Sequence, residues 1–285
     1  MNDMIKRQRG LSMVELLVVL LIGSFLIIGI TQVYLDNKRS YAFQQSQANN
    51  LDNGRFATLM LNQYLGKAGY RRDPSQLVEF AFPAMKAKDD CQDFKAGHAV
   101  TGFATDKGEG KGTGFCIRYQ PQVSGELDCQ GTASDVEYDE AFKSPSSNDL
   151  IVLAFKYEPD DTDLSEGSLL CKSLNAANPQ YGELLTGIAD LRLDFGVGSA
   201  DVLEKEVTTF VPQADWTSAS GAIRSLRYSL LLASKENQRD SNDSKVLTDW
   251  LANAPAATKT RLENADKKRL YQVANSIQTV RNFMP

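Results

Sequence analysis

The stretch "RQRGLSMVELLVVLLIGSFL", which begins at Arg7, places the tightest constraint on this chain. From Leu11 to Ile30 the sequence is apolar and carries a single charge, Glu15. At 1.5 Å per residue this run makes a helix roughly 30 Å long, enough to cross the hydrocarbon layer of a bilayer. Lys6, Arg7 and Arg9 stand just before it, and basic flanks stay on the cytoplasmic side, so the remainder of the chain is expected to be translocated. A secretory signal would show small residues at a cleavage site after the apolar run. Here Gln32, Asn37, Lys38 and Arg39 follow instead, and no proline appears before Pro74.

Gly10 offers a cleavage site on the other side of the run. The basic leader, Gly10, a new N-terminus at Leu11, Glu15 and an uninterrupted apolar helix occur in fixed order. This order resembles the class III leader of type IV prepilins and type II secretion pseudopilins. The resemblance implies cleavage between Gly10 and Leu11 by a dedicated inner-membrane aspartic peptidase, and N-methylation of Leu11. It also gives Glu15 a reason to exist. An ionised carboxylate in lipid costs several kcal/mol unless it is neutralised or paired. The α-amino group of Leu11 on an adjacent subunit is the obvious cation, methylation leaves its charge intact, and the pair would fix axial register. Gly23, Ser24 and Gly29 read equally as points of close helix approach and as ordinary membrane-helix composition.

After Ile30 the pattern turns amphipathic without a stop. Phe56, Met60 and Tyr64 recur every fourth residue, which predicts one long helix from about Ser12 to Leu65 with Gly54 as a tolerated weak point. "GKAGYRRDP" ends it. Beyond Pro74 the sequence reads as short strands and polar loops. "GTGFCIRYQ", "DLIVLAFKY" and "SLLCKS" are strand candidates, and "LRLDFGV" and "IRSLRYSLLLAS" alternate apolar with polar residues at the period of a half-buried strand. "KRLYQVANSIQTVRNF" supplies a last pair of candidates. These predict an antiparallel sheet whose apolar face is covered by the second half of the long helix. The segment from about Ser234 to Lys268 is expected to hold a short surface helix, with Trp250 either anchoring it to the core or exposed for contact.

The N-terminal "GLSMVELLVVLLIGSFLIIGITQVY", the "FCIRYQ" and "LDCQG" pair, "LLTGIADLRLDFGV" and the ending "RLYQVANSIQTVRNF" together resemble the PilW family of type IV pilus minor pilins, relatives of the pseudopilin J group. One departure is Gln32, where many major pilins have a proline. The resemblance implies an α+β, pilin-like fold: a long N-terminal helix, membrane-spanning in its first half, packed on an antiparallel β-sheet domain. The expected organisation is a leader at 1–10, a membrane or filament-core helix at 11–33, its amphipathic continuation at 34–70 and a periplasmic β-rich domain at 71–285. The implied function is non-enzymatic: a structural subunit that initiates or caps a type IV pilus. Implied partners are other minor pilins and the major pilin through their N-terminal helices, the prepilin peptidase and an inner-membrane assembly platform. A type II secretion pseudopilin and a single-pass membrane enzyme or receptor are the competing readings.

Outside the N-terminus the sequence gives little chemistry. A single histidine, His98, leaves no histidine triad or multi-histidine metal site within one chain, and the net charge of -5 disfavours nucleic acid. No cofactor or metal is expected. Cys91, Cys116, Cys129 and Cys171 lie in no CxxC pair, and in a translocated domain they read as structural disulfides rather than a zinc site or buried thiols. Three pairings are open. Cys116 with Cys129 and Cys91 with Cys171 is the expected one, because the first two enclose a short loop between strand ends. "YEPDDTDLSEG" reads as a solvated acidic loop more readily than as a calcium site, since the EF-hand order is absent. "DKGEGKGTG" lacks the phosphate-binding order of a P-loop and reads as a surface loop.

Overall fold

The computed structural model describes residues 12–103, 112–146, 149–199, 201 and 204–283. It comprises two compact units, Met1–Gln45 and Ser46–Pro285. Helix α1, Met13–Lys67, contributes to both and runs unbroken through Gln32, whose side chain donates to Asp36 Oδ1 one turn on at 3.1 Å. In the first unit the described residues are this helix and Ser12. Its many Val and Ile residues are modest helix formers. In an apolar medium, however, every backbone N–H needs a partner within the segment, and only a helix supplies one.

In the second unit α1 buries a single stripe: Ser46, Asn50, Gly54, Ala57, Leu61 and Leu65. Steps of four and three residues keep them on one face. The stripe is not the one that the aromatic spacing predicts. Phe56 is half exposed, and Met60 and Tyr64 sit at the rim of the core. The helix approaches the sheet too closely at Gly54 to admit larger side chains. A Cβ there would lie 2.8 Å from Leu232 Cδ1 and 3.1 Å from Ala274 Cβ. The expected weak point is thus the seat of the helix. Its polar neighbours are satisfied across the contact: Asn50 Nδ2 donates to Leu270 O at 3.1 Å, and Tyr228 OH donates to Asn62 Oδ1 at 2.9 Å.

Two sheets replace the single one expected. The first has the order β1-β2-β3-β4-β5 (Val100–Gly102, Thr113–Tyr119, Ile151–Glu158, Ser168–Ser173, Gly182–Thr186), an antiparallel meander. The second has the order β7-β6-β8-β9, with β6 Ile188–Gly198, β7 Thr209–Pro212, β8 Ala222–Asn237 and β9 Arg269–Thr279. Between Thr186 and Ile188 the chain passes from one sheet to the other at Gly187, whose φ of 94° is costly for any side chain. The C-terminal pair of strand candidates is in fact one strand, β9, followed by a 3-10 turn at Arg281–Phe283.

Alternation along β8 buries Leu226, Tyr228, Leu230 and Leu232 with the main core that includes α1. Leu231 and Ala233, on the opposite face, are buried too. They meet Trp250 and Leu247 of α3 (Lys245–Ala252) and Leu262 and Ala265 of α4 (Ala256–Ala265). The remaining helix, α2, is one turn at Val78–Ala81. Trp250 is therefore a core anchor, and its indole N–H donates to Asp190 Oδ2 at 2.8 Å while Arg261 pairs with Oδ1 at 2.9 Å. The last turn of α1 is closed from the far end of the chain, where Asn282 Nδ2 donates to the carbonyls of Gly66 and Ala68, each at 2.9 Å.

Gly54→Leu should destabilise the protein by about 1–3 kcal/mol through overpacking against Leu232 and Ala274. Gly66→Ala, at a helix position where a Cβ meets nothing within 4 Å, should be neutral or stabilising by up to about 1 kcal/mol. Denaturant midpoints of the two variants in detergent would check the contrast, and equal midpoints would reject the close seat.

Candidate functional site

Every large apolar side chain from Met13 to Ile30 is at least half exposed, among them Leu16 at 50% and Ile30 at 69%. The helix is long and apolar enough to cross a membrane, and none of its most apolar window is buried by the chain itself. Such a surface requires a bilayer or other helices. Its few polar groups are handled locally: Ser24 Oγ donates to Leu21 O at 2.8 Å and Thr31 Oγ1 to Ile27 O at 2.7 Å, so neither hydroxyl needs an outside partner. At Gly23 and Gly29 a Cβ would meet nothing within 4 Å, which leaves the backbone open to close approach.

Glu15 differs from these groups. It lies in the first turn, where the helix dipole favours a carboxylate, and among the described residues it has no hydrogen bond or ion pair. A lone carboxylate on an apolar helix, offered outward, is an unfilled electrostatic valence. Gly10 and Leu11, the cleavage and methylation candidates, lie outside the described residues, as do Lys6, Arg7 and Arg9.

Residues 5–31 match the prokaryotic N-terminal methylation motif, and residues 158–282 match PilW, the Type IV Pilus-assembly protein W family. The chain is thus type IV pilin-like, with similarity to the PilW family over residues 158–282. It is accordingly a non-enzymatic, minor-pilin-like structural protein involved in pilus assembly. A type IV-like pilin from Thermus thermophilus is similar in structure, with a TM-score of 0.42 and 15% identity over 84% of this chain and 99% of that one. No curated protein matches the chain.

The disulfides differ from the expected pairing. Cys91 joins Cys116, with Cα atoms 5.9 Å apart, and Cys129 joins Cys171 at 6.4 Å. Strand pairing decides the first: Cys116 sits opposite Thr101 on β1, and the segment that flanks β1 bridges Cys91 to Phe103. The loop that carries Cys129 closes on itself through Asp128 N–H to Thr132 O at 2.9 Å. It lies over β4, where Gln130 donates to Cys171 O at 3.3 Å. Short sequence separation was therefore a poor guide. Each bond ties a long loop to the first sheet and contributes roughly 2–4 kcal/mol, mainly through the unfolded state.

Two carboxylates of the acidic loop are bonded within the fold, while Glu158, Asp161 and Glu166 are exposed. Asp160 Oδ1 accepts from Thr162 and from the Asp163 N–H, each at 2.8 Å, and these bonds hold its pKa below the usual carboxylate value. Asp163 pairs with Arg269 at 2.7 Å. Among the described residues no group of three His, Cys, Asp or Glu side chains is arranged to hold a metal ion. The glycine-rich "DKGEGKGTG" lies mostly outside the described residues. Sequence reasoning missed Arg118, a fully buried guanidinium on β2. It donates to the carbonyls of His98, Pro83, Phe82 and Lys95 and so organises the 82–98 segment. Beside it, burial first and then the Arg224, Lys95 and Arg118 cations push His98 down to about 4.

Peptide mapping without reduction should recover Cys91–Cys116 and Cys129–Cys171, and a Cys116–Cys129 peptide would refute the strand-pairing account. His98 titrates near 6.5 when unfolded, so between about pH 6.5 and about pH 4 the unfolded chain binds the extra proton. Stability that is complete above this window should fall as pH drops through it. Urea midpoints across the window should show a shallower fall for His98→Gln, and parallel curves would assign the slope to other groups.

Proposed function

We propose that this chain is a minor pilin that helps to initiate, or caps, a type IV pilus after prepilin peptidase cleaves between Gly10 and Leu11. The observation that carries this reading is Glu15, a carboxylate with no partner among the described residues, on a helix segment whose apolar window they leave uncovered. In lipid it is costly. In a filament the N-methylated amine of Leu11 on the neighbouring subunit neutralises it, and protein helices replace lipid around both groups. Two opposite charges about 4 Å apart attract by about 4 kcal/mol at an effective dielectric near 20, before desolvation is counted. This is enough to favour one axial register over others, because a shift along the helix separates the charges.

Before assembly the subunit is held in the inner membrane by this single helix, with the residues beyond it in the periplasm. The match to the methylation motif supports the leader chemistry, and the PilW match supports assembly over bulk polymer. A domain as large as this one fits poorly at every position of a thin filament, which favours low copy number at a tip or priming complex. Its partners there are other minor pilins, the major pilin and the inner-membrane platform. Retention of Glu15 allows the subunit to stack beneath another whose amine it satisfies.

Glu15→Leu should leave leader removal intact, with the mature protein beginning at Leu11 by mass, while it lowers recovery in sheared pili by about tenfold or more. Normal incorporation of the variant would reject the pairing. A mature N-terminus upstream of Gly10 would reject the assignment itself, and copurification with a secretion system alone would move the chain to the pseudopilins.

A further inference from the structure

The two disulfides sit at different depths. Cys91, Cys116 and Cys171 are fully buried, whereas Cys129 is half-buried at the margin of the main core. Cys116 lies mid-strand in β2, opposite Thr101 on one side and Ala154 on the other, so Cys91–Cys116 is sealed within the first sheet and its flank. Cys171 lies likewise in β4, opposite Phe155 and Gly182. Thiol–disulfide exchange begins when a thiolate reaches one sulfur of the pair, so access decides which bond reacts. Among the four cysteines Cys129 alone offers that access.

The segment that carries Cys129 is weakly held. Residues 121–146 lie between β2 and β3 and contain no helix or strand. Only Pro121 and Glu126 among them are buried, and the large apolar side chains Val123, Leu127 and Phe142 are each more than half exposed. With so little apolar surface removed from water, burial does little to keep the segment closed. Its noncovalent ties are few. Glu126 pairs with Lys67 at 2.7 Å, Gln130 Nε2 donates to Gln180 O at 2.9 Å as well as to Cys171 O, and the Arg72 guanidinium lies 3.7 Å from the centroid of the Tyr138 ring. Six acidic residues against one lysine repel one another along it. The Cys129–Cys171 bond, which spans 42 positions in sequence, is the one tie that does not depend on these contacts.

We propose that Cys129–Cys171 is a redox release for residues 121–146: a dithiol reductant opens it selectively, and the segment detaches while both sheets and Cys91–Cys116 stay in place. The incoming thiolate attacks Cys129 Sγ to form a mixed disulfide, and Cys171 leaves as the thiolate. The second thiol of the reductant, as thiolate, then displaces Cys129, and the two protons of the dithiol end on the two cysteines. The dithiol is oxidised to its disulfide and the protein bond is reduced, a balanced two-electron exchange. Strands β2 and β3 keep their ladder, from Thr113 with Tyr157 to Tyr119 with Ile151, because none of it passes through the segment. On release Glu126 leaves Lys67 at the end of α1 and Gln130 leaves β4, so the folded chain acquires a flexible acidic arm.

The test treats the full-length protein in detergent with dithiothreitol for graded times, quenches with acid, alkylates in denaturant and maps the peptides. Cys129 and Cys171 should be alkylated about tenfold or more faster than Cys91 and Cys116. Hydrogen exchange on the same samples should speed up about tenfold or more in residues 121–146, with β2, β3 and β8 unchanged. Glutathione, a monothiol, should leave its mixed disulfide on Cys129. A Cys129→Ser, Cys171→Ser variant should show the fast-exchanging segment without reductant and still melt cooperatively. If that variant does not fold, the kinetics on the unaltered chain decide alone. Both bonds opening together, Cys91–Cys116 opening first, glutathione on Cys171, or a segment that stays protected after its bond is open would overturn the proposal. So would loss of protection in both sheets when that bond opens.

Discussion

The second unit depends on how closely α1 can lie against β8 and β9. Gly54 sets that distance, and Ser46, Asn50 and Ala57 keep the same face narrow. Because the helix is close, Asn50 reaches a β9 carbonyl and Tyr228 reaches Asn62, so polar groups that would be stranded under a bulkier helix are bonded across the contact. Further along, where Leu61 and Leu65 take over, Tyr64 meets the Phe155 ring of the first sheet at 5.2 Å. One helix face thereby engages both sheets. The outer face of the second sheet is closed by α3 and α4, with Trp250, Asp190 and Arg261 as a buried polar clasp. A sheet covered on both faces can still be extended sideways.

Much of this was legible in the sequence because it is written in large apolar residues. The membrane-length run, the strands β3, β6 and β8 and the length of α1 all follow from hydrophobic period. What was not legible is written in volume and adjacency. Phe56 and Tyr64 look like the core face of α1, whereas the seat is made by residues whose value is that they are small. The passage between sheets at Gly187 looks in sequence like any tight turn. The pairing of Cys91 with Cys116 follows from which strand lies beside β2, a tertiary fact that loop length does not encode. Trp250 could be weighed only as anchor or contact until the acid that receives its N–H was in view.

The candidate site divides in the same way. Glu15 stands out because it violates a local rule, a charge in an apolar run, and such violations are readable without a structure. The β9 edge violates nothing locally. "LYQVANSIQT" is an ordinary strand sequence, and its edge position comes only from the sheet order, in which no described strand lies beyond it.

The clasp on the last turn of α1 has a consequence for the order of events in synthesis. Asn282 reaches back to Gly66 and Ala68 across sequence separations of 216 and 214, and Phe283 packs where a side chain on Gly69 would stand. During synthesis, the carbonyls at that helix end must rely on water until β9 and the turn after it have arrived. Contacts of such long range form slowly. A nascent chain therefore carries a second sheet that still lacks β9 after α1 and the first sheet have been made, and the seat of α1 is completed late.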